Sequence, residues 1–112
     1  MGELTGLTGL EILWLDGTAV TDAGLKAVGT MRTLRMLNLD DTEVTGAGLD
    51  ELVGLPDLRR LNLRRNGGVT DAGLAALTRL KGLRSVDLRG TAVTAEGAAR
   101  LRKALPDCNV IR

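Results

Sequence analysis

Apolar residues recur along this chain in one fixed frame. It reads Leu10-x-x-Leu13-x-Leu15, then Leu34-x-x-Leu37-x-Leu39, Leu58-x-x-Leu61-x-Leu63 and Leu83-x-x-Val86-x-Leu88. The starts at 10, 34, 58 and 83 step by 24, 24 and 25 residues, with Gly67-Gly68 holding the extra one. Inside each frame the last two apolar positions lie two apart, the period of a strand with one buried face. In the second unit Leu37 and Leu39 therefore point one way, and Met36, Asn38 and Asp40 the other. Such a strand is only about four residues long, so it needs its counterparts in the other units beside it.

After each strand the spacing changes from two to three. Thr18, Thr42, Asn66 and Thr91 fall where the chain turns, and their side chains are suited to hydrogen-bonding loop backbone. Thr21, Thr45, Thr70 and Thr94 then read as helix N-caps. Leu49, Leu52 and Leu55 follow at i, i+3, i+6, a narrow inward stripe. The pattern predicts short helices over 21–30, 45–54, 70–79 and 94–104. Asp22, Asp71 and Glu96 place a carboxylate in the first turn, where the helix dipole favours it. Gly24, Gly48, Gly73 and Gly97 recur in register, although a glycine costs a helix about 1 kcal/mol against alanine. That recurrence predicts a steric demand, the close approach of stacked turns.

A period in this range means a solenoid, in which each unit buries its apolar edge only against its neighbours. The expected architecture is α/β: a curved array of about four and a half repeats, with parallel strands on the concave face and short helices on the convex one. It forms a single domain over 1–112, with a partial leading repeat at 1–9, repeats at 10–33, 34–57, 58–82 and 83–107, and a fifth strand beginning at 108–112. These ends read as the C-terminal part of a longer array or a piece cut from one. Ala98 replaces the helix leucine in the last full repeat, and Arg100, Arg102 and Lys103 make that helix more polar than its predecessors.

The shared frame, L-x-x-L-x-L-x-x-T/N-x-V-T-D-A-G-L-x-x-L-x-x-L, resembles leucine-rich repeat proteins. It is nearest the short bacterial variety, kin to ribonuclease-inhibitor-like and F-box-associated repeats. The resemblance spans about residues 4–112. It implies a non-catalytic protein-interaction scaffold that uses its concave surface, and it names no partner.

Composition narrows the chemistry. There is one Trp, no Phe and no Tyr, so the core is aliphatic. There is no His and only Cys108, which removes internal disulfides, His/Cys zinc sites and any nucleophile that relies on a histidine base. Cys108 itself reads as a small core residue, Ser85 lacks a base, and Gly67-Gly68 lacks the surrounding phosphate-loop pattern. No catalytic residue, cofactor or metal site is expected. Asp16, Asp40 and Asp41 do not form a cation-binding loop. Neither a signal peptide nor a membrane span is evident, which favours a cytoplasmic, reducing setting.

Net charge is +1, but it is unevenly spread. Residues 1–56 hold nine acids against three bases, and residues 57–112 hold five acids against twelve bases. In a solenoid this makes an electrical dipole along the axis.

Since scaffold positions repeat, specificity must lie where the repeats differ. The outward strand positions form three expected ladders. These are Ile12, Met36, Arg60, Ser85 and Val110; Trp14, Asn38, Asn62, Asp87 and Arg112; and Asp16, Asp40, Arg64 and Arg89, flanked by Asp41 and Arg65. Trp14 beside Ile12 and Met36 makes an apolar spot of the kind enriched in binding hot spots, or else it covers an exposed N-terminal edge or packs against an upstream repeat. Arg60, Arg64, Arg65 and Arg89 suit bidentate recognition of an acidic partner, or else are paired with Asp87 and neighbouring acids on a solvated face. Nucleic acid fits poorly, for lack of a stacking aromatic among the arginines and because of the acidic half. The expected function is binding of a protein partner on the concave face. The alternatives are a structural solenoid that self-associates into a homo-oligomer through its open ends, or a passive spacer of a larger receptor or adaptor.

Overall fold

The computed structural model of the chain describes residues 9–112, so the leading partial repeat lies almost wholly outside the described residues. The strands form where the period of two places them: β1 (Ile12–Trp14), β2 (Met36–Asn38), β3 (Arg60–Asn62), β4 (Ser85–Asp87) and β5 (Asn109–Ile111). They build one parallel sheet in chain order. Leu13, Leu37, Leu61 and Val86 stand side by side across the first four strands. The ladder runs on past the strand ends, where Leu15, Leu39, Leu63 and Leu88 donate to carbonyls of the following repeat at 2.7–2.9 Å. Behind the sheet, Leu34, Leu37, Leu39, Leu58, Leu61, Leu63, Leu83 and Leu88 are sealed from solvent. Each such side chain contributes roughly 1.5–3 kcal/mol by burial.

The fifth strand departs from the predicted frame by one residue. Asn109 lies opposite Ser85 and Val110 opposite Val86. Val110 is therefore a core residue, not the last member of the Ile12 ladder, and Arg112 lies beyond β5 instead of beside Asp87. Cys108 and Val110 are both buried, so the fifth frame has one residue fewer than the others between its first two inward positions. Burial raises the Cys108 thiol above its ordinary pKa, against a smaller opposing effect of Arg84, as befits a core residue.

The helical layer starts at the predicted positions and is tighter than α in the second repeat and at the start of the third. α1 (Asp22–Val28) is followed in the second repeat by a 3-10 helix, Gly46–Leu52. The third repeat begins with a 3-10 turn, Asp71–Gly73, and continues as α2 (Leu74–Leu77). Only α3 (Ala95–Ala104) is long. The leucine spacing suits the tighter form, because side chains three apart eclipse in a 3-10 helix and line up on one face. Leu49 and Leu52, the two of that stripe within the 3-10 helix, are buried together.

Of the recurrent glycines, Gly48, Gly73 and Gly97 are spacers between turns. Asp22 accepts hydrogen bonds from the Thr45 amide (2.7 Å) and hydroxyl (2.5 Å), and Asp71 accepts the same pair from Thr94 (2.8 and 2.5 Å). Each aspartate thus clamps the helix start of the next repeat, more than the dipole role its position predicts. The Thr94 hydroxyl and amide hold the Asp71 carboxyl below its ordinary value. A Cβ on Gly48 would strike the Asp22 carboxylate, and one on Gly97 the Asp71 carboxylate. The second repeat has Gly46 where an aspartate would stand, and there two backbones meet: a Cβ on Gly73 would lie 2.5 Å from the Gly46 Cα. Thr45 and Thr94 cap their helices, accepting from Ala47 and Gly97 amides, whereas Thr21 and Thr70 make no side-chain cap bond.

Gly97→Ala is expected to cost about 1–3 kcal/mol by overpacking, and much less in an Asp71→Ala background. Urea unfolding of both single variants and the double variant measures the coupling. Additive losses would show that the carboxylate is not what the methyl meets.

Candidate protein-binding face

On the open face of the sheet, adjacent strands bring the predicted ladders into register. Ile12, Met36, Arg60 and Ser85 form one row, and Trp14, Asn38, Asn62 and Asp87 the next. Ile12 is 53% exposed and Trp14 62%, the two exposed large hydrophobic side chains among the described residues. Met36, opposite Ile12, is half-buried. Alternation alone puts these three on one side of the sheet, and β1 is the first strand among the described residues.

The polar rungs divide into two kinds. Asn38, Asp40 and Asp87 are buried although they belong to the outward rows, because backbone and arginine groups close over them. Asn38 accepts from the Asp40 amide at 2.9 Å. Asp40 accepts from the Arg64 amide (2.8 Å) and from Arg64 Nε (2.9 Å), with Nη2 also at 2.9 Å. Asp87 is gripped by Arg89, through Nε at 3.0 Å and Nη2 at 2.7 Å, and lies 3.9 Å from Arg64 Nε. Burial pushes the Asp87 carboxyl up, but the Arg89 side-chain and backbone bonds, with the charges of Arg89 and Arg64, outweigh it and set the group below its ordinary value. The same bond and charge raise the Arg89 guanidinium above its own.

Four charges therefore alternate, Asp40, Arg64, Asp87, Arg89, across neighbouring repeats. The paired reading of the arginines holds for Arg64 and Arg89. It does not hold for Arg60 and Arg65, which are exposed and form no ion pair among the described residues. Asp16 is also exposed on its rung.

One feature of the rim escaped the sequence reading. Gly17, Asp41, Arg65 and Gly90 occupy equivalent positions just after the strands, and all four are left-handed, with φ of 69°, 53°, 65° and 79°. Two repeats satisfy this with glycine, and two hold a charged residue there at a cost of roughly 1–2 kcal/mol each. The signal was present in the register of Gly17 with Gly90. Arg64, Arg65, Arg89 and Gly90 line a hollow of about 200 Å³. A larger hollow, about 410 Å³, lies on the helical side between Thr45, Asp50, Thr70 and Ala76, where small residues leave the surface low.

Among the described residues there is no group of three His, Cys, Asp or Glu placed to hold a metal, and no helix is long and apolar enough to cross a membrane.

A single parallel sheet one short strand per turn, backed by ladders of buried leucine and a layer of short helices, defines a leucine-rich repeat solenoid. The chain has the leucine-rich repeat fold, and its residues 54–77 match the family model described as "Leucine Rich repeat". It is similar to an internalin of Listeria monocytogenes, with a TM-score of 0.77 and 20% identity, over 99% of this chain and 30% of that one. It is likewise similar to a leucine-rich repeat protein of Leptospira interrogans, with a TM-score of 0.77 and 25% identity, over 98% of this chain and 27% of that one. The chain thus spans less than a third of the length of either solved protein. No curated protein matches its sequence.

Proposed function

We propose that the chain is a non-catalytic protein-binding module that receives a protein partner on its strand-lined face. The observation that carries this reading is the exposed Ile12–Trp14 pair, adjoining Met36 and set beside rows of polar and charged side chains. An apolar anchor within a polar surround is the composition of a binding hot spot. Tryptophan gains most there because it buries a large area with few rotamers to lose. Leucine-rich repeat folds generally serve as interaction scaffolds, which supports the reading at a coarser level. Under it, Ile12, Trp14, Met36, Arg60 and Asn62 touch the partner, while Asn38, Asp40 and Asp87 hold the surface in shape.

The test is capture of a binding protein from the source organism's extract by three forms of the chain: wild type, Trp14→Ala with Arg60→Glu, and a helical-side control, Arg79→Glu with Lys81→Glu. All four changed residues are exposed, so each form is expected to unfold at the same temperature as wild type. The strand-side variant is expected to lose capture and the control to keep it. The reverse pattern would move the binding surface to the helices.

A further inference from the structure

We propose that the hollow between Arg64, Arg65, Arg89 and Gly90 is an oxyanion site for an acidic segment of the protein partner, a carboxylate or a phosphate on a peptide. This rests on the protein-binding reading above and adds the chemistry of what is bound. The site is assembled at the carboxyl ends of β3 and β4, where successive repeats each deliver an arginine to the same rung.

Two of its three guanidiniums are already aimed. Arg64 and Arg89 turn their Nε and Nη2 edges to the buried carboxylates of Asp40 and Asp87. Among the described residues, Nη1 of each makes no hydrogen bond or ion pair, and the two side chains remain 44% and 56% exposed. Fixing one edge of a planar guanidinium presents the other at little further entropic cost when a ligand arrives.

Arg65 is the third and is wholly unpaired among the described residues, on a left-handed backbone where two other repeats have glycine. Gly90 completes the hollow: a Cβ there would stand 3.1 Å from the Arg65 amide nitrogen, so its missing side chain keeps the arginines accessible. The charge balance also favours an anion. Three guanidiniums face two carboxylates whose oxygens are already engaged, within a half of the chain holding twelve bases against five acids. A planar fork of N–H donors suits the paired oxygens of a carboxylate or phosphate. A peptide fits better than a nucleic acid, since no aromatic lies in the hollow to stack a base.

The left-handed position supplies a variant that should fold. Arg65→Gly removes the guanidinium and relieves the backbone, as Gly17 and Gly90 do in their own repeats. Calorimetric titration with hexaglutamate, a phosphoserine hexapeptide, hexalysine and a single-stranded oligothymidylate is the experiment. We expect hexaglutamate or the phosphopeptide to bind, hexalysine not to bind, and binding to weaken with salt. Arg65→Gly should weaken it about tenfold or more, the size of one lost charge-assisted bond, and Arg79→Ala, at an exposed residue outside the hollow, should leave it unchanged.

Binding of hexaglutamate alone assigns the oxyanion to carboxylate, and of the phosphopeptide alone to phosphate; either supports the site. Equal binding by Arg65→Gly and wild type overturns it, as does no binding of either acidic peptide or tighter binding of the oligothymidylate. Should Trp14→Ala with Arg60→Glu abolish partner capture while Arg65→Gly leaves peptide binding intact, the strand-face reading stands and the oxyanion site alone falls.

Discussion

Leu61→Ala is expected to lower the unfolding free energy by about 2–5 kcal/mol, near the upper end of that range. Leu61 is sealed from solvent at the centre of β3, between Leu37 and Val86. The cost of a cavity depends on how far its walls can close in. Here the walls belong to strands hydrogen-bonded on either side, at the spacing of a continuous parallel ladder, so little collapse is available. The loss also weakens two interfaces at once, and a repeat array is held by such nearest-neighbour contacts. Against a total of about 5–15 kcal/mol for a domain, this is enough to broaden or abolish the transition. Urea unfolding followed by far-ultraviolet circular dichroism measures it. Leu13→Ala, on the half-buried edge strand, is the matched control and should cost less than half as much. Equal losses would mean that the central rungs are no more tightly packed than the edge.

Asn66→Ala should cost about 3–5 kcal/mol, because each buried group left unpaired costs about 1–3 kcal/mol. Asn66 is 2% exposed, and its Nδ2 lies 2.9 Å from the carbonyls of both Leu39 and Leu63, while Oδ1 accepts from the Thr42 amide at 3.1 Å. It therefore ties the third repeat to the second. The other turns are served by threonine, whose hydroxyl donates within its own repeat, Thr18 to Leu15, Thr42 to Leu39 and Thr91 to Leu88; of these, Thr42 also reaches the next repeat, its hydroxyl lying 3.1 Å from Asn66 Oδ1. Asn66→Thr is accordingly expected to recover the bond to Leu63 but not those to Leu39 and Thr42, and to fall between alanine and wild type. Thermal unfolding of the three forms orders them. A threonine variant as stable as wild type would show that the link between repeats contributes nothing.

Both residues belong to the part of the fold that is legible in the sequence. Leucines at a fixed period allow one answer to which side faces inward, because a slip of one residue exposes the whole row. The exposed Trp14 and Ile12 followed from the same alternation. What alternation cannot show is how neighbouring groups close over a position. Asp40 sits on an outward rung, yet the Arg64 amide and side chain cover it. Asp22 reads equally well as a dipole partner of its own helix, and its bond to Thr45 appears only when the next turn is stacked on it. The left-handed rim position was masked at Asp41 and Arg65, where the backbone accepts strain that glycine would avoid. The fifth strand departs from the frame because only one residue separates its inward Cys108 and Val110, a contraction that the four preceding repeats do not foreshadow.

The clamp used by Asp22 and Asp71 is missing from the middle joint, where Gly46 and Gly73 bring bare main chain together. The inner pitch is the same at every joint because hydrogen bonds set it, so bending is governed by how much material is wedged between the outer segments. An inserted carboxylate is a thick wedge, and two glycines are none. The arc is therefore expected to bend most at its first and third joints and least across the second, giving a rigid partner its flattest footing over β2 and β3.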